Sequence, residues 1–134
     1  MTKYQIKWQN GSMKTATFES HLATIEKQGY CIIENAIEPE LLLEMTETVE
    51  RLEAELDVQP RGNRAEGFAT KRMYNLLGKD RAFWKLPTHA NVLPFAESLL
   101  DNECLLSGTT CMNIGPGEVH QGLHSDDGLV SVQR

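Results

Sequence analysis

From Thr17 onward, apolar positions recur every three or four residues: Phe18, Leu22 and Ile25 trace one stripe of a helix. Thr17 stands where an N-cap belongs and Gly29 where a C-terminal cap belongs. Tyr30 to Ile37 then runs β-branched and apolar, which predicts a mostly buried strand. Glu38-Pro39-Glu40 opens a second helix, since proline at the first helical position gives up an N–H that had no partner and acids suit the positive N-terminal end. Leu42, Met45, Val49, Leu52 and Leu56 predict one apolar face over about four turns. Glu44, Glu47, Glu50, Glu53 and Glu55 fill the remainder as a solvated surface.

Val58 to Thr70 carries Pro60, Gly62 and Gly67 and reads as a long loop, functional or mobile. Lys71 to Leu77 is the next strand and begins with two cations. Asp80 can cap a short turn that sends Phe83, Trp84 and Leu86 to the core. Thr88 to Leu100 predicts a helix with Pro94 in its first turns and Val92, Phe95, Leu99 and Leu100 inward. His89, near its start, reads as a capping or exposed histidine. From Glu103 to Ile114 the pattern alternates, Cys104, Leu106, Met112 and Ile114 against Ser107, Thr109, Cys111 and Asn113, so that a strand could line a wet cavity with its polar side. The turn Gly115-Pro116-Gly117 delivers a last strand bearing His120, Gly122, His124 and Asp126 on one face.

With 134 residues, 40% of them hydrophobic, the chain fits one soluble globular domain. Thirteen basic against nineteen acidic residues give −6, which argues against a nucleic-acid footprint. No apolar stretch approaches the roughly 20 residues of a membrane span, and Met1 to Gln5 lack the apolar core of a secretion signal. A cytoplasmic protein without nucleic-acid or membrane partners is expected. Cys31, Cys104 and Cys111 are odd in number, have no CxxC spacing and suit buried reduced thiols.

The candidate chemistry lies in His124-Ser125-Asp126. On a strand, residues i and i+2 share a face with Cα atoms about 6.6 Å apart, so an imidazole and a carboxylate can converge on one metal. Fe(II) accepts that N/O pair, and with one further histidine it forms a facial triad with open positions for a keto-acid and oxygen. The competing reading is a turn whose carboxylates cap backbone N–H groups. His120 stands about 13 Å from His124 along an extended strand and needs a bend to join the pair. Lys71 and Arg72 are either cations aimed at an anionic cosubstrate or solvent-facing charge at a strand end.

The helix and Gly29-Tyr30 strand, the acidic helix, Tyr74-Asn75-Leu76-Leu77, the Leu86 to Leu100 helix and Pro116-Gly117 followed by Gln121-Gly122-Leu123-His124-Ser125-Asp126-Asp127-Gly128 together resemble the phytanoyl-CoA dioxygenase family. The resemblance implies an α+β fold, in which N-terminal helices pack on a double-stranded β-helix (a cupin-like jelly roll). It also implies Fe(II), 2-oxoglutarate as cosubstrate, a small-molecule substrate and hydroxylation. By resemblance His124 and Asp126 are iron ligands, Lys71 meets the 2-oxoglutarate carboxylate, and Met112, Asn113 and Gln121 line the cavity. Asp126 argues against halogenation, which needs a small residue there to leave room for halide.

The family's second ligand histidine and the residue that seats the distal carboxylate lie in strands further downstream. The expected organisation is therefore a flexible lead-in over 1–16, then residues 17–134 as the N-terminal part of such a domain, truncated after the His-x-Asp with its β-helix incomplete. Unpaired strand edges could then support self-association. The alternative is a non-catalytic remnant of the same fold: a partner-binding domain, or a metal module using His120, His124 and Asp126.

Overall fold

The computed structural model describes residues 15–126. The architecture is α+β, with three α-helices and one two-stranded sheet among those residues. Helix α1 spans Thr15–Gln28, α2 Pro39–Glu55 and α3 Leu93–Leu99; strands β1 (Thr70–Tyr74) and β2 (Thr110–Ile114) pair antiparallel. The lead-in expected over 1–16 lies almost wholly outside the described residues, as does everything after Asp126.

Helix α1 begins before Thr17, so Thr17 lies inside it rather than at its cap. It ends where expected: Gly29 takes φ +86 and donates its N–H to the Ile25 carbonyl at 2.7 Å. Proline opens α2 as anticipated. Its buried side is turned from the expected one, however. Met45, Thr48 and Leu52 are buried and Leu41 and Val49 pack beside them, whereas Leu42 and Leu56 are exposed. Leu42, Val49 and Leu56 are seven residues apart, almost two whole turns, and form a line along the rim of the stripe rather than its centre.

The core is the contact of α2 with the sheet and the turns that follow it. Met45 and Leu52 meet Met73, Leu76, Ala82 and Phe83. Asp80 caps the turn at Arg81–Lys85, accepting from the Ala82 N–H at 2.8 Å. That turn is tied to α2 by Arg51–Asp80 at 2.6 Å and Lys85–Glu44 at 2.6 Å. Phe83 is buried there, but Trp84 is half exposed. A second cluster joins α1 to α3, with the Phe18 and Phe95 rings 4.5 Å apart.

Several expected strands are absent or shorter. Residues 30–37 and 118–126 are irregular, β1 stops at Tyr74, and 103–109 precede rather than belong to β2. A strand's backbone groups are satisfied only by a neighbouring strand, and among the described residues β1 and β2 have only each other. The helix expected over Thr88–Leu100 is confined to Leu93–Leu99, preceded by turns, and Val92, Leu99 and Leu100 face outward rather than into the core. The full β-helix is not seen among the described residues.

Candidate functional site

Pairing fixes which side chains look in the same direction. Thr70 faces Ile114, Arg72 faces Met112 and Tyr74 faces Thr110; in the alternate rows Lys71 faces Asn113 and Met73 faces Cys111. Because successive side chains point to opposite sides of a strand, the two-stranded sheet has two distinct faces. Met73 and Cys111 pack against the core cluster, so theirs is the α2 side.

On that side Glu53 of α2 grips both strands. Its Oε2 accepts from Lys71 Nζ at 3.0 Å and its Oε1 from Asn113 Nδ2 at 2.9 Å. Burial pushes the Glu53 carboxyl up, but the hydrogen bonds from Asn113 and then Lys71 outweigh it and hold the pKa below its usual value. Burial, with the nearby Glu53 charge, raises the Cys111 thiol and keeps it protonated and unreactive. All three cysteines are free and half-buried.

The opposite face borders a cavity of about 300 Å³ whose lining includes Arg64, Arg72, Met112, Glu118, His120 and Gln121. The long loop before β1 folds over this face. Arg72 donates from Nε to the Glu66 carbonyl at 2.8 Å and its Nη1 meets Met112 Sδ at 3.3 Å. The Gln121 amide donates to the Ala65 carbonyl at 2.7 Å. Of the four residues expected to contact 2-oxoglutarate, Met112 and Gln121 therefore line one cavity. Lys71 and Asn113 lie on the far side of the sheet, committed to Glu53. The strand cation on the cavity side is Arg72, with Arg64 of the preceding loop lining the same cavity.

His124 and Asp126 follow on the irregular segment after Gln121. His124 Nδ1 lies 2.8 Å from the Gly122 carbonyl, which can only accept, so Nδ1 is the donor of that contact. Nε2 lies 3.4 Å from Asp126 Oδ1. Two cis ligands of an octahedral ion at bond lengths of about 2.1 Å stand about 3 Å apart, so these two donors need to close by only a few tenths of an ångström to share one. A ring N–H held by a backbone carbonyl is also the usual outer support of a metal-bound histidine. Both side chains are solvent-facing. The chemistry and spacing of the pair fit two positions of an iron facial triad.

No group of three His, Cys, Asp or Glu close enough to hold a metal occurs among the described residues. His21 stacks edge-on against Phe95, with ring centroids 6.3 Å apart. His89 pairs with Glu38 at 2.9 Å, and that hydrogen bond is the main cause of the lowered Glu38 pKa. His120 borders the cavity.

Glu118, which pattern reading passed over, and Gly67, read there only as a loop glycine, organise this region. Glu118 bridges to the start of β1, and Gly67, at φ +103, makes room for it: a Cβ there would come within 2.6 Å of Glu118 Oε2. The sequence signal was the Gly-Pro-Gly-Glu turn itself, which brings an acid back toward the strand it has just left.

The model of the phytanoyl-CoA dioxygenase (PhyH) family matches residues 25–134. This chain belongs to that family, whose members are Fe(II)- and 2-oxoglutarate-dependent oxygenases. No solved structure matches the chain. No helix among the described residues is long and apolar enough to cross a membrane.

Proposed function

We propose that this chain carries the first half of the iron site of a 2-oxoglutarate-dependent hydroxylase, with His124 Nε2 and Asp126 Oδ1 as two ligands. The observation that carries the reading is their 3.4 Å approach with the Nδ1 proton anchored on Gly122, in a family match spanning 25–134. His21 and His89 are engaged elsewhere, so the third ligand is His120 after rearrangement or, as we favour, a histidine outside these 134 residues. Bound iron would supply oxygen activation coupled to oxidation of the keto-acid. The protein's part is to present the ligands, to seat the keto-acid beside Met112 and Gln121 with Arg72 as its counter-charge, and to keep water from the reacting C–H bond. The acid at position 126 fits hydroxylation of a small-molecule substrate.

Anaerobic Fe(II) titration with and without 2-oxoglutarate tests this through the weak visible band of the chelate. A saturable band that disappears in Asp126→Ala is expected. Arg72→Met should weaken 2-oxoglutarate about tenfold or more, the scale of a lost charge-assisted contact, while Lys71→Met leaves it unchanged. Metal binding to which 2-oxoglutarate adds nothing would favour a metal module without oxygen chemistry. No metal binding at all would favour a partner-binding domain of the same fold.

A further inference from the structure

The segment that bears His124 and Asp126 has no strand beside it among the described residues, yet it does not leave the sheet freely. Gly115 donates its N–H to the Ala69 carbonyl at 3.2 Å, and the turn closes with the Glu118 N–H on the Gly115 carbonyl at 3.3 Å. From there the Glu118 side chain reaches back across nearly fifty residues of sequence. Its Oε2 accepts from the Ala69 N–H at 2.6 Å and from the Thr70 hydroxyl at 2.8 Å, while Oε1 accepts from the Val119 N–H at 2.9 Å. One residue past His120, Gln121 donates to the Ala65 carbonyl at 2.7 Å. The contacts alternate between the two segments like stitches. Thr70 is buried, although it sits on the cavity face of the sheet, because this seam covers it.

We infer that Glu118 is a positioning residue: by clasping Ala69 and Thr70 it fixes where the 119–126 segment leaves the sheet and so aims the His124/Asp126 pair along the rim of the cavity. The inference rests on the metal reading for what the segment carries, but not for the clasp itself. The carboxylate suits the task because it accepts two donors on one oxygen and a third on the other, which neither an amide nor a hydroxyl does equally well. Gly67 and Gly115 belong to the same device. A side chain at Gly67 would strike Glu118, and a Cβ at Gly115 would come within 2.5 Å of the Ala69 carbonyl.

The test is amide hydrogen exchange of the metal-free 134-residue chain, with Co(II) titration alongside. Glu118→Ala should accelerate exchange across 119–126 about tenfold or more while α2 exchanges as before, and Co(II) should bind more weakly. Glu118→Gln, keeping shape and one acceptor oxygen, should fall between. Unchanged exchange in 119–126, or an equal rise across α2, overturns the inference, the latter because Glu118 would then be a general stability contact. If the wild-type chain binds no Co(II), it is the metal reading that fails, and the exchange comparison alone decides on Glu118.

Discussion

The side chains that matter most here act by choosing a face. Met73 marks the core side of β1, and by alternation Lys71 must share it while Arg72 must not. The resemblance had given the cosubstrate contact to Lys71; it is the core packing of Met73 that turns Arg72 to the cavity instead. What the sequence lacked was Glu53, an acid within an apparently solvated run that turns out to be only 9% exposed at its side chain. Glu53→Ala leaves Lys71 and Asn113 without their acceptor and is expected to lower stability by about 1–3 kcal/mol, read by urea unfolding, without altering metal affinity. Glu118 makes a different prediction. The Ala69 N–H, followed by the Thr70 hydroxyl, lowers its pKa from 4.5 to about 2. A group depressed on folding stabilises fully above its unfolded pKa and loses that contribution as pH falls through the folded one. The stability difference between wild type and Glu118→Gln should therefore hold from neutral pH to the mid-4 range and shrink toward pH 2. The other charged or titratable groups on the same cavity are Arg64, Arg72, Glu66 and His120. A carboxyl NMR titration with its midpoint near the ordinary 4.5 would contradict this account.

Elements that close their own hydrogen bonds were easier to read than those that need neighbours. Helices α1 and α2 follow from spacing, proline and glycine, because i→i−4 bonds form within the segment. The apolar runs at 30–37 and 103–109 have strand composition, but a ladder needs a partner, and β1 and β2 have only each other among the described residues. For α2 the period was right and the phase was off by part of a turn, since Leu41 and Thr48 were passed over in favour of Leu42 and Leu56. The two rows of the helix should therefore respond very differently. Leu52→Ala is expected to cost about 2–5 kcal/mol, the range for emptying a packed site. Leu42→Ser should stay within about 0.5 kcal/mol. Paired thermal or urea denaturation of the two variants separates the observed phase from the expected one.

At the scale of the whole molecule the core is thin. No side chain among the described residues falls below 2% exposure, while Leu105 is 92% and Leu123 107% exposed. Surfaces of this kind favour association. Sedimentation velocity should show concentration-dependent self-association, weakened when Leu105 and Leu123 are both replaced by lysine. The family was legible from Pro116-Gly117 and the His-x-Asp, and the α+β class through that resemblance. How the parts are fastened was not, because Glu53, Glu118 and Gln121 make contacts across 18 to 60 residues that leave no local pattern. Glu53 carries one more consequence. Two paired strands can slip by a single residue, and each such slip exchanges the faces of a strand. With one carboxylate oxygen committed to Lys71 and the other to Asn113, a slipped strand pair would leave half of Glu53 unanswered beside the apolar core. The helix thereby proofreads the sheet, rejecting the alignment that would turn Lys71 toward the cavity and Arg72 into the core.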